Sequence, residues 1–123
     1  MHAVQVSNHT TPLKTPLHAG YCSSFLCKLR GLTWRRALAA DSGLLLVGAR
    51  DSRVDASIHM LFVFFDLGIV WINDAGIVVD VQLAKQWVSL LAPQEPARYT
   101  LEVHPSRMIE FTVGDRIEFL EIA

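Results

Sequence analysis

Long uninterrupted apolar runs are missing from this 123-residue sequence. The nearest candidate, residues 58–72, is broken by His59, Asp66 and Gly68 and falls short of the ~20 apolar residues that a membrane-spanning helix requires. Its Phe, Val and Ile content suits buried strands, so no membrane span is expected. Basic runs are missing too: Arg35 and Arg36 are adjacent, but no stripe of Lys or Arg interleaved with aromatics appears, which argues against nucleic acid as a partner. Gly43, Gly76 and Gly114 stand singly, so no glycine-rich loop is available to cradle phosphate. Cysteine is scarce, with only Cys22 and Cys27, and their spacing is not that of a zinc site. No Ser or Cys sits in a recognisable nucleophile motif. The sequence therefore assigns no catalytic residue, no metal site and no cofactor. The stretch Met1–Leu17 is polar, with no apolar segment of the kind a secretory signal carries. The expectation is a cytoplasmic chain with both thiols reduced.

What is present is ample apolar content, 51% of residues against 19% charged. That composition excludes intrinsic disorder and suits one domain at this length. Charge is unevenly placed: residues 1–50 hold six Lys or Arg against Asp41 alone, and residues 51–123 hold five against eleven Asp or Glu. Either the two halves pack together and neutralise each other, or the first presents a basic patch to an anionic partner.

Residues 1–20 hold Pro12, Pro16, several Thr and three of the five His (His2, His9, His18). Without a periodic apolar face they read as a flexible, loosely packed arm, followed by one domain over 21–123. Tyr21–Arg30 reads as a strand and Thr33–Ala40 as a short helix in which Trp34 and Leu38 share a face. Leu44–Val47 is a short buried strand, and Gly48–Ala56 a loop. Asn73–Gly76 has the composition of a hairpin turn. Tyr99, Leu101 and Val103 alternate with Arg98, Thr100 and Glu102, the pattern of a half-buried strand. Pro105–Phe111 reads as one helical turn, and Gly114-Asp115 turns into a last strand, Arg116–Ile122. Closely spaced strands with one or two short helices predict a mainly β domain, its sheet antiparallel or mixed and barrel- or sandwich-like.

The order of several motifs resembles domain of unknown function family 192, an uncharacterised prokaryotic family. The residues that carry the resemblance are Arg30-Gly31-Leu32, Gly43-Leu44-Leu45-Leu46, Ser57-Ile58-His59, Asn73-Asp74-Ala75-Gly76, Ala97 to Val103 and Gly114-Asp115-Arg116. The resemblance implies a compact β-rich domain and brings no established activity. Relatives of this type usually continue after the His with Thr, then Met and Arg, then Pro-x-Asp. This chain instead has Met60, Val63, Phe64 and Asp66-Leu67-Gly68. The carboxylate implied at Gly68 is thus absent, and Asp66, two residues earlier, is a candidate replacement because a shift of two keeps a strand's face.

His59 and Asp66, each set in an apolar stretch, need polar surroundings that one shared pocket would supply. The candidate ligand-binding residues are therefore His59 and Asp66, with Arg35 and Arg36 at the rim and Trp87, in its Gln-rich context, lining a groove. The reading is a non-catalytic binding or accessory module, monomeric or homodimeric, for a small polar or anionic ligand or a protein partner. Two alternatives stay open: a small hydrolase using a His/Asp pair, and an interaction subunit joined through Phe62, Phe64 or Phe65.

Overall fold

The computed structural model describes residues 3–24, 38–58, 60, 63–87 and 90–122. Seven strands form one mixed sheet: β1 Ala3–Asn8, β2 His18–Cys22, β3 Ser42–Ser52, β4 Leu67–Ile72, β5 Val78–Ala84, β6 Ala97–Val103 and β7 Ile117–Ile122. The strand order is β5-β4-β6-β3-β2-β1-β7. Only β2 and β3 run parallel, and their connection, residues 23–41, has the length a parallel crossover needs. A short 3-10 helix, Pro105–Glu110, begins with proline, whose fixed φ and missing N–H suit that position.

The sheet is curled but is not a closed barrel. Its edge strands meet at one end through the isolated bridge between Ile77 and Arg116, reinforced by Ile117 N donating to Gly76 O at 2.7 Å and Val78 N to Asp115 O at 2.9 Å. The Asn73–Gly76 turn makes this contact work. Asn73 Oδ1 accepts from Ile77 N at 3.0 Å, and Gly76 holds φ at +84° where a Cβ would stand 2.8 Å from Ile117 O. Glycine is required there both for its conformation and for the close approach.

The curl creates two apolar layers. The first draws on all seven strands, including Val4, Val6, Ala19, Leu45, Val70, Val78, Leu101 and Ile117, so the sheet wraps around it. The second lies on the opposite face, where Leu44, Leu67, Ile69 and Trp71 are covered by Ala56, Ile58, Met60 and Val63. Lying between the two layers, β4 is buried along its whole length.

The first twenty residues differ from expectation. Instead of a loosely packed arm, β1 pairs antiparallel with both β2 and β7, and Val4, Val6 and Leu17 are buried. Val4 and Val6 alternate with Gln5 and Ser7, a period-2 signal too short to stand out beside the Pro- and Thr-rich stretch that follows. That stretch is itself tied down. Asn8 Oδ1 accepts from Thr10 N and Thr11 N, each at 3.0 Å, and Asn8 Nδ2 donates to Asp115 Oδ2 at 2.8 Å. The buried Arg107 donates to Thr15 O and Ala40 O and pairs with Glu110.

β2 begins at His18, ahead of the expected Tyr21–Arg30 strand, and overlaps it at Tyr21 and Cys22. Residues 25–37, with most of the expected helix, lie outside the described residues. β3 runs through to Ser52, well into the expected loop. Cys22 is disulfide-bonded, which corrects the expectation of reduced thiols, and Cys27 lies outside the described residues.

Candidate functional site

Strand β6 lies near the middle of the sheet, flanked by β4 and β3. Its register sets Thr100 opposite Trp71 and Leu46, and Glu102 opposite Ile69 and Leu44. Side chains alternate faces along a strand, so Thr100 and Glu102 both project into the second apolar layer.

Ala56, Ile58, Met60 and Val63 cover this face. The carbonyl of Ala56 accepts from Trp71 Nε1 at 2.8 Å and from Thr100 Oγ1 at 3.2 Å. Ile58 and Leu91 exchange a pair of backbone hydrogen bonds, both 2.9 Å. Arg53 Nε donates to Pro93 O at 2.9 Å. Further along, Met60 and Val63 are held in the apolar cluster.

Within this layer Glu102 is 6% exposed. Among the described residues, Glu102 Oε1 is the only buried side-chain polar atom without a hydrogen-bond partner. Loss of solvent pushes its carboxyl from the ordinary value of 4.5 up to about 7, as burial does for any acid whose charge is uncompensated. The half-buried reading of β6 is thereby corrected: its polar side is covered by Ala56, Ile58, Met60 and Val63. No local sequence signal separates a polar residue under such a cover from one in solvent.

The predicted site residues are placed as follows. His59 lies outside the described residues, between Ile58 and Met60, both buried in the second layer. Arg35 and Arg36 also lie outside them. Asp66 precedes β4 and ties it to the end of β5: its Oδ1 accepts from Gln86 N at 2.9 Å, and its Oδ2 lies 3.7 Å from Lys85 Nζ. Trp87 follows that turn in a left-handed backbone conformation, φ +65°, rare for a bulky residue. Its ring meets Phe64 edge-on with centroids 5.5 Å apart. The structure therefore brings Asp66 and Trp87 to one corner, the β4–β5 corner.

The place of the implied carboxylate, Gly68, is packed instead. A Cβ there would stand 2.4 Å from Met108 Cγ and 3.1 Å from Val103 Cγ2. Among the described residues no group of three or more His, Cys, Asp or Glu could hold a metal ion.

A curled mixed sheet of seven strands, with a buried acid under a covering segment, defines the class of this domain. The sequence profile of DUF192, described as an uncharacterized ACR, matches residues 5–119, and the chain belongs to that family. The UPF0127 protein of Thermococcus gammatolerans is 31% identical over 83% of this chain and 66% of the relative, and that of Thermococcus kodakarensis is 34% identical over 78% and 60%. The chain thus spans about two thirds or less of these two relatives' length. The Pyrococcus furiosus UPF0127 protein is 29% identical over 91% of this chain and 95% of its own. Two solved structures share the fold. A candidate transcription regulator from Sinorhizobium meliloti 1021 superposes with a TM-score of 0.81 at 20% identity, covering 96% of this chain and 92% of its own. A protein of unknown function from Novosphingobium aromaticivorans gives 0.76 at 17% identity, covering 94% and 83%.

Proposed function

We propose that this domain is a non-catalytic binding or accessory module whose polar site lies at Glu102, in the apolar layer that Ile58 and Met60 join. One observation carries the reading. Glu102 Oε1 is buried without a partner among the described residues, and an unpartnered buried polar atom costs on the order of 1–3 kcal/mol. A ligand that donates to it offsets that cost. His59 stays a candidate contact because its neighbours Ile58 and Met60 face the same layer. The hydrolase alternative asked for a His/Asp pair, but the Asp66 carboxylate is engaged by Lys85 and Gln86. A second reading, a protein-interaction subunit, is favoured by the exposure of Phe64 and Trp87 at the β4–β5 corner.

Among the described residues no helix is long and apolar enough to cross a membrane. The cytoplasmic expectation stands against the disulfide at Cys22, since disulfides persist in oxidising compartments. Thiol labelling of protein trapped directly from cells decides between them.

The test of binding is a thermal-shift screen of small polar and anionic compounds on the full chain. A ligand at a hundred times its Kd adds about 2.7 kcal/mol. Its stabilisation is expected to be lost in Glu102→Leu or His59→Ala. Hits that stabilise both variants as well as the wild type would overturn the site.

A further inference from the structure

We infer that the cavity between strand β1 and the loop over residues 9–17 is a second binding site, for a small oxyanion, held by Lys14 with Gln5, Ser7 and Thr15. The site does not depend on the reading given to Glu102. Its apolar lining residues Val6 and Leu13 belong to the first layer, not to the layer around Glu102.

The cavity forms where the chain leaves β1 before returning as β2. The two strands pair over Ala3–Gln5, and Val6 N donates to Leu17 O at 2.9 Å. The loop between them is tied at further points. Asn8 Oδ1 accepts from Thr10 N and Thr11 N, Lys14 N donates to Glu110 Oε1 at 3.0 Å, and Thr15 O accepts from Arg107 Nη2 at 2.8 Å. Between these ties the loop stands off β1 and leaves a cavity of about 240 Å³. Pockets for drug-sized molecules hold roughly 300–1,000 Å³, so this one suits a small ion or the end group of a larger molecule. Because the loop is fixed through its own backbone, binding has little ordering to offset.

The lining decides the sign of the ligand. Lys14 is the only charged side chain that lines the cavity, and its ammonium has no ion-pair partner among the described residues. The two nearby carboxylates are compensated. Glu110 pairs with Arg107, and Glu118, opposite Ser7 on β7, pairs with His9 at 2.7 Å. The charge of Lys14 is thus left over, and a cationic ligand would meet it as a like charge. Gln5 and Ser7, two apart on β1, share a face, and with Thr15 they add uncharged donors not engaged elsewhere among the described residues. Asn8 is spent on the loop, Glu110 O and Asp115 and serves as a wall. One cation beside several neutral donors fits one carboxylate or phosphate group.

The test is a two-dimensional NMR titration of the ¹⁵N-labelled full chain with sodium acetate and, separately, sodium phosphate, at an ionic strength held constant with sodium chloride. At least one of the anions is expected to shift the amides of Ser7, Lys14 and Thr15 to saturation while those of Leu44 and Glu102 stay in place. Acetate alone would identify a carboxylate as the group bound, and phosphate alone a phosphoryl group. Lys14 is exposed, so its substitution leaves the fold intact: Lys14→Gln should weaken binding by about fivefold, the upper end for an exposed charge pair, and Lys14→Arg should retain it. Adding Ser7→Ala to Lys14→Gln should abolish it. Shifts that never saturate, or that are the same in Lys14→Gln as in the wild type, would overturn the inference. Lys14→Gln should leave any Glu102-dependent stabilisation in the thermal-shift screen unchanged, so either site can fail without the other.

Discussion

Burial of Glu102 makes a quantitative statement about stability against pH. Its carboxyl titrates near 7 in the folded chain against 4.5 when exposed. Between those values the folded state keeps a proton that the unfolded state has released, so stability falls as pH rises through that window. The contribution is fully present below pH 4.5, and by pH 7 it is gone. Each pKa unit corresponds to 1.36 kcal/mol, so the decline amounts to about 3 kcal/mol. Glu102→Gln removes the titration while keeping shape and polarity. Other titrating groups are common to both proteins and cancel in the comparison. Urea unfolding of wild type and variant across this pH range should therefore give curves that differ by about 3 kcal/mol more at the upper end than at the lower, in favour of the variant. Parallel pH dependences would refute the reasoning and mean that the carboxyl finds water or a cation in solution.

Three further outcomes are expected. Removal of residues 1–8 deletes β1 and with it Val4 and Val6, and should abolish the cooperative thermal transition; a transition shifted by only a few degrees would show that the strand contributes little. Leu101→Ala, at a fully buried position of β6, should cost about 2–5 kcal/mol in chemical denaturation, and a cost under about 1 kcal/mol would place that side chain outside the core. Gly68→Asp, which installs the carboxylate implied by the family resemblance, meets Met108 at 2.4 Å and should destabilise by about 1–3 kcal/mol; adding Met108→Ala should recover part of that loss in the same assay.

Much of the fold was legible because short strands leave period-2 signals and turns leave compositional ones. Tyr99-Thr100-Leu101, Asn73 to Gly76 and Gly114-Asp115 sit where their chemistry predicts. Strand β1 is hard to read because two buried valines are a weak signal and one of its partners, β7, lies far along the sequence. The site was harder. Asp66 drew attention as a charge within an apolar stretch, yet it is used at a turn. Glu102 lies in an unremarkable alternation, and its importance arises only when Ala56, Ile58, Met60 and Val63 are laid over the polar side of β6. Covering is a long-range property, invisible to any local window.

The pairing of β1 with β7 has a consequence for how the chain acquires its shape. Ala3 lies beside Ile122 and Asn8 beside Ile117, so six backbone partners are separated by nearly the whole sequence. Closing so long a loop costs entropy before the contact rewards it, and such distant pairing slows folding. During synthesis β1 emerges before β7 and waits for that strand to leave the ribosome. Until then its edge on that side is open, and the inner apolar layer lacks the strand that carries Ile117. The interval between these two events is when the chain is most exposed to pairing with another copy of itself.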